Sequence, residues 1–253
     1  MARLVAGPGL ILLCLLGCSG EVPRAQDTPT GAVLIGRVEL AKGARLPSYA
    51  AADQVRRALI ADGERVASLD AECAAAEKAA RRPVTLGDRG ALGGVVVAAS
   101  DFTHYRPREP RTHTLRIEGC RLSPPVLSAA AGDRLVIDNA DGREHVPSLR
   151  PSYRARPLAA GDRVVQRLAA GLEAVLCARD RPCGRADVLT FHHPVHAVTA
   201  EDGSFRIEDF PVGEMVRVSA WHPLFKEARA HVWLEPGEQR TVRLVLKPRR
   251  RRR

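Results

Sequence analysis

Residues 196–222 restrict the fold of this chain more than any other stretch. Two alternating apolar runs, Phe205/Ile207 and Val216/Val218, are separated by Pro211 and Gly213, and the first is entered through Thr199, Asp202 and Gly203. Side chains that alternate with period two suit a half-buried strand and not a helix, while Asp-Gly and Pro-x-Gly supply turn backbone. The stretch predicts a β-meander. Residues 228–234 and 241–246 alternate again around Glu235-Pro236-Gly237-Glu238, which predicts a closing hairpin with Val242, Leu244 and Leu246 facing a core.

Upstream, residues 32–40 alternate and end at Lys42-Gly43, another strand and turn. From residue 48 the chain turns Ala-rich and charged, with Val55, Leu59, Val66, Leu69 and Cys73 at helical spacings, so a short helical excursion is expected over residues 48–87. A β-branched run through residues 90–99 restores strand character, with Gly93-Gly94 as its turn. At 45% hydrophobic content the chain has enough apolar side chain for a buried core.

The amino terminus carries Arg3 and then an apolar run over residues 10–18 that is too short to span a bilayer, the profile of a secretory signal. Leu15-Leu16-Gly17-Cys18 resembles a bacterial lipobox. That resemblance implies a signal peptide over residues 1–17, a lipidated Cys18 as membrane anchor and a tether over 18–30. Ser19, in place of Asp, implies outer-membrane sorting, with the protein facing the periplasm or the cell surface.

Six cysteines reduce to Cys73, Cys120, Cys177 and Cys183 once Cys14 leaves with the signal and Cys18 is acylated. In an oxidising compartment an even set reads as disulfides, with three connectivities open. Cys73 with Cys120 and Cys177 with Cys183 is the favoured set, because the short loop around Pro182 can turn back on itself. The net charge of +10 includes the basic tail, residues 249–253. Such a tail attracts anionic lipid or is simply solvated. Export argues against DNA, and no aromatic residues interleave the basic ones, so nucleic acid is not an expected partner.

The Asp202-Gly203-Ser204-Phe205 turn, the Pro211-x-Gly213 turn and the strand ending at Trp221 resemble the carboxypeptidase regulatory-like (transthyretin-like) β-sandwich. In that family the second strand leads directly to the Asp-Gly turn, whereas here residues 100–195 intervene. This intervening part resembles cupredoxin-like (plastocyanin-like, methylamine-utilisation-like) proteins through Cys120-x-x-x-Pro124, Gly132-Asp133-x-Leu135-x-Ile137, Asn139-x-Asp141-x-x-x-His145 and Cys177. The two resemblances imply an all-β fold. A discontinuous regulatory-like sandwich would occupy residues 31–47, 88–110 and 193–248, with a cupredoxin-like module inserted at 111–192.

A blue-copper centre needs two imidazoles, a thiolate and a weak thioether. The resemblance assigns His145 and Cys177 to the first imidazole and the thiolate, but Asp180 and Cys183 stand where the second imidazole and the thioether belong. Cys183 therefore offers Cys177 a sulfur partner in place of copper. The alternative reading is a metal site built from His145, Cys177, Asp180 and Cys183. His192 and His196 share a strand face but lie about 13 Å apart by the strand rise, too far for one ion.

Asp187, Glu201, Asp202 and Glu208 form no paired constellation, and Ser123 and Ser148 have no nucleophile-elbow context, so an enzyme is not expected. The sequence thus predicts a membrane-anchored envelope lipoprotein with a binding or structural role, no cofactor, and another envelope protein, a glycan or anionic lipid as partner. The alternative is a copper or electron-transfer protein using Cys177 and His145.

Overall fold

The computed structural model describes residues 23–25, 31–49, 73–76, 82–150, 156–177 and 182–249. Cys18, Asp180, most of the helical excursion and the tail beyond Arg249 lie outside these residues. In chain order the strands are β1 (Arg24–Ala25), β2 (Ala32–Leu40), β3 (Thr85–Leu86), β4 (Leu92–Gly93), β5 (Val96–Ser100), β6 (His104–Tyr105) and β7 (Thr112–Glu118). Next come β8 (Arg121–Ser123), β9 (Val126–Ala130), β10 (Arg134–Asn139), β11 (Pro147–Arg150), β12 (Arg163–Arg167), β13 (Gly171–Cys177) and β14 (Arg185–Phe191). The chain closes with β15 (His196–Val198), β16 (Ser204–Phe210), β17 (Met215–Trp221), β18 (Phe225–Lys226), β19 (Ala228–Trp233) and β20 (Gln239–Pro248).

Among the described residues the fold is nearly all β. Four four-stranded sheets pack as two β-sandwiches. The first joins β16-β2-β20-β18 to β15-β5-β17-β19. Its core holds Leu34, Val38, Phe205, Ile207, Phe210, Val216, Val218, Phe225, Leu244 and Leu246. The second joins β12-β10-β7-β8 to β11-β13-β14-β9 around Leu115, Ile117, Leu135, Ile137, Leu149, Val175 and Val188. Every strand of the second sandwich comes from residues 112–191, between β5 and β15 of the first.

The turn chemistry read from the sequence is present. The Asp202 carboxylate accepts from the Ser204 backbone N–H at 2.9 Å, and Gly203 takes φ +78, a left-handed conformation that favours glycine. Gly36 is required by packing instead. A Cβ there would lie 2.4 Å from the Val242 carbonyl and 2.5 Å from the Phe205 ring, where β2 passes between β16 and β20.

The predicted pairings of the last strands do not hold. β16 and β17 form no meander: β16 pairs with β2, and β17 pairs with β5 and β19. Likewise β19 and β20 form no hairpin. β20 crosses to the other sheet and runs parallel to β2, from Val33 opposite Gln239 to Leu40 opposite Leu246. Alternating side chains bury one face whether the next strand pairs within the sheet or arches across the core, so periodicity cannot separate the two. Val242, Leu244 and Leu246 do face the core as expected.

The helical excursion is also shorter than residues 48–87. Residues 73–76 are helical, but β3 pairs antiparallel with β4 and Val84 is buried in the first core. Pro83 disfavours helix in the residue before it, so helical backbone is not continued into this hairpin.

Candidate functional site

Two expected ligands, His145 and Cys177, are placed toward the same end of the second sandwich. β11 runs antiparallel to β13 with Pro147 opposite Cys177, which brings His145 to the same rim. Cys177 is bonded to Cys183, and Cys73 to Cys120. Cys183 is fully buried, and its carbonyl accepts from the Leu122 N–H at 2.8 Å, tying the loop to β8.

His145 has no exposed surface, and its Nε2 lies 2.7 Å from Asp141 Oδ2. Asp141 also accepts from the backbone N–H groups of Gly119 at 2.5 Å and Cys120 at 2.9 Å. Burial pushes the Asp141 carboxyl up, but the Cys120, His145 and Gly119 donors prevail and hold it below the usual carboxylate range. An ionised carboxylate only accepts, so Nε2 of His145 carries the proton. Nδ1 is buried and has no hydrogen-bond partner.

Asn139 braces this loop. Its Nδ2 donates to the carbonyls of Arg143, Leu158 and Ala159, each at 2.9 Å, and its Oδ1 accepts from the Asp141 N–H at 3.1 Å. The Asn-x-Asp-x-x-x-His spacing is thereby a self-contained polar knot fastened to Gly119 and Cys120.

Copper does not fit this donor set. A disulfide sulfur is not a thiolate, and His145 Nδ1 is the one lone-pair donor left from the expected ligands in the described residues, where a trigonal site needs three. Asp180 lies outside the described residues. No group of three or more His, Cys, Asp or Glu suited to a metal occurs among them. The His192 to His196 run does not supply a substitute. His193 packs edge-on to Phe102 at 4.9 Å between ring centroids, while His196 stacks on Phe191 with Nδ1 2.9 Å from Ser128 Oγ.

Two polar clusters escaped the sequence reading. Asp133, in the turn between β9 and β10, is bound by the Arg108 guanidinium at 2.9 and 2.7 Å and by His113 Nε2 at 2.8 Å. The backbone N–H groups of Arg111 and Ala130 complete its shell at 2.8 and 2.9 Å. Burial raises its pKa, but these donors together take it far below the usual range. Gly132-Asp133 looked like ordinary turn chemistry, and nothing local marks an aspartate that collects donors from a segment 20 to 25 residues away.

The second cluster lies where the sandwiches meet. Asp187 on β14 accepts from the Tyr49 hydroxyl and from Arg185, whose Nη2 is 2.6 Å away and whose guanidinium stacks 4.5 Å from the Tyr49 ring centroid. His222, at the end of β17, is fully buried beside Tyr49, with 6.3 Å between ring centroids. Burial lowers its pKa to about 4, with Asp187 opposing the shift and Arg185 adding to it. Burial also takes His193 to about 4 and His196 to about 3. At neutral pH all three imidazoles are uncharged, and with Phe191 and Trp221 they form an apolar and aromatic joint.

The chain matches no protein-family model. It matches no curated protein sequence. Solved structures resemble part of it weakly. Amicyanin from Paracoccus versutus is 16% identical over 33% of this chain and 83% of its own, with a TM-score of 0.28. A purple cupredoxin from Nitrosopumilus maritimus is 18% identical over 30% of this chain and 97% of its own, with a TM-score of 0.26. The copper-containing nitrite reductase of Thermus scotoductus is 18% identical over 34% of this chain and 24% of its own, with a TM-score of 0.29. Among the described residues the chain is nearly all β, with two disulfides and a weak, partial likeness to cupredoxins.

Proposed function

We propose that this protein is a membrane-anchored envelope lipoprotein with a non-catalytic binding or structural role. In this reading a transthyretin-like sandwich carries a cupredoxin-like module that has lost its copper ligands. Cys18 would hold the chain at the outer membrane, and another envelope protein, a glycan or anionic lipid would be its partner. The observation that carries the loss of copper is the Cys177–Cys183 disulfide. It consumes the thiolate, while His145 is held by Asp141 and fixes a loop in place of an ion.

The test is copper loading of the oxidised chain together with a thiol count under denaturing, non-reducing conditions. No free thiol from Cys73, Cys120, Cys177 or Cys183 and no copper retained through dialysis are the expected results. An intense blue thiolate band that Cys177→Ser abolishes would overturn the reading in favour of a copper protein. For the anchor, Cys18→Ser should release the protein from the membrane fraction of its host. Continued membrane retention of that variant would remove the lipid from the proposal.

A further inference from the structure

The outer face of the β12-β10-β7-β8 sheet presents Arg163 and Arg167, Arg134, Arg116, and Arg121, one strand after another. Register sets them in rows. Arg167 lies directly opposite Arg134, Arg163 and Arg116 flank Asp138, and Arg121 lies opposite Glu118. The two carboxylates of this face, Asp138 and Glu118, each lie 3.4 Å from Arg116. Among the described residues, Arg134, Arg163, Arg167 and Arg121 have no carboxylate within ion-pair distance. Between the arginine rows Val165 is 54% exposed, with Val136 beside it on β10.

Like charges directly opposite one another destabilise a sheet. Two guanidiniums side by side without a counter-charge are therefore a place where an anion lowers the free energy. The shape of the face narrows the choice of anion. It is an open sheet surface whose outward residues repeat every ~7 Å along a strand, and it offers no concave cradle of backbone N–H groups for a single phosphate. It also lacks the stacked aromatic platform that single-stranded nucleic acid requires. Arginines around the exposed Val165 and the half-buried Val136 match a plane of phosphate groups above an apolar layer. Guanidiniums bind the phosphates, and the valines meet the hydrocarbon boundary.

We infer that this face docks on an anionic phospholipid surface. The inference deepens the proposed function by choosing anionic lipid among its partners, but it does not rest on an acylated Cys18, because it needs only the charge on the face.

The test is sedimentation of the full-length, disulfide-bonded chain with vesicles of phosphatidylcholine, with and without phosphatidylglycerol. Removing both Arg134 and Arg167 (each to Gln) should lower partition onto the anionic vesicles by roughly 25-fold, about fivefold per arginine, and leave partition onto pure phosphatidylcholine unchanged. The binding that is lost should also be the part abolished by raising the salt. Removing Arg240 and Arg243 (each to Gln) subtracts the same charge from the first sandwich and should leave partition close to that of the unaltered chain. Equal loss in both double variants would reduce the effect to net charge and overturn the proposal, as would full retention of binding by the Arg134/Arg167 variant. Weaker binding to heparin with vesicle partition intact would assign the face to a soluble polyanion and overturn it too. Cys18→Ser in each background separates this outcome from failure of the lipid anchor, because the ratio between variants should not change.

Discussion

Arg37 faces Arg243 across the outer sheet of the first sandwich, just as Arg134 faces Arg167 across the outer sheet of the second. The two pairs are treated differently. Arg243 turns to Glu39 at 2.5 Å, and Arg37 donates to the Asp202 carbonyl at 2.9 Å, so each charge finds an acceptor within its own sandwich. Other arginines of the first sandwich do the same, Arg206 with Glu208, Arg229 with Glu227 and Arg240 with Glu238. On the second sandwich the carboxylates are spent differently. Asp133 is buried under Arg108 and His113, Asp141 holds His145, and Asp187 takes Arg185 and Tyr49. Most of its acids stabilise the interior and the joint, and the two on the outer face, Asp138 and Glu118, both pair with Arg116, which leaves Arg121, Arg134, Arg163 and Arg167 without a carboxylate partner among the described residues.

Covalent support divides the same way. Both disulfides involve the second sandwich and neither touches the first, whose core includes the large side chains Phe205, Phe210 and Phe225. The second core contains no aromatic residue among its buried members. A thinner core compensated by cross-links should respond to reduction where an aromatic-rich one does not.

Replacing Cys73 and Cys120 by Ser opens a loop of 47 residues in sequence separation and should cost about 4 kcal/mol by loop entropy. Opening Cys177–Cys183, with a separation of 6, should cost about 2 kcal/mol. Urea unfolding with two-sandwich resolution should show the loss in the second sandwich alone. A matching loss in the first would mean that the two unfold as one unit and would break the comparison.

Asp133→Ala comes next. It leaves the Arg108 guanidinium, His113 and two backbone N–H groups without their acceptor and should cost about 3 kcal/mol. Asp202→Ala in the exposed turn of the first sandwich should shift the urea midpoint far less. Equal shifts would show that the buried carboxylate adds no more than a surface turn.

The joint between the sandwiches should be sensitive to acid. His193, His196 and His222 are protonated in the unfolded chain below about pH 6.5, but in the folded chain burial delays protonation to about 4, 3 and 4. The unfolded state binds more protons across that window, so stability is full above pH 6.5 and falls as the pH drops toward 4. The slope is about 1.4 kcal/mol per pH unit for each histidine. His222→Phe should flatten the fall by about a third. An unchanged slope would place the acid sensitivity elsewhere.

The smallest effect tests the arginine pairs themselves. Arg134→Thr relieves the unpaired like-charge contact and should raise stability by about 0.3 kcal/mol. Arg243→Thr removes an ion-paired partner and should move the melting temperature the other way. If both lower it, the outer arginines of the second sandwich have local partners after all, and the contrast between the sandwiches is lost.

The class of the fold and its turns could be read from the order of residues. Period-two alternation placed strands at residues 32–40, 228–234 and 241–246 and through Phe205/Ile207 and Val216/Val218, because one buried face is a local demand on every second residue. The Asp202-Gly203 turn was legible for the same reason, and a short loop was enough to suggest that Cys177 meets Cys183. Which strands pair was settled by packing in three dimensions. An arch and a hairpin satisfy the same alternation, so β16 and β17, and β19 and β20, read as neighbours although they lie in opposite sheets. Tertiary structure also decided what the charged residues do. Asp133 gathers its donors from Arg108, Arg111 and His113, and Asp187 meets Tyr49 from the far side of the chain, because hydrogen bonds act over about 3 Å of space and take no account of sequence separation. The same holds for the row of Arg134 and Arg167, which become one surface only when β10 and β12 lie side by side.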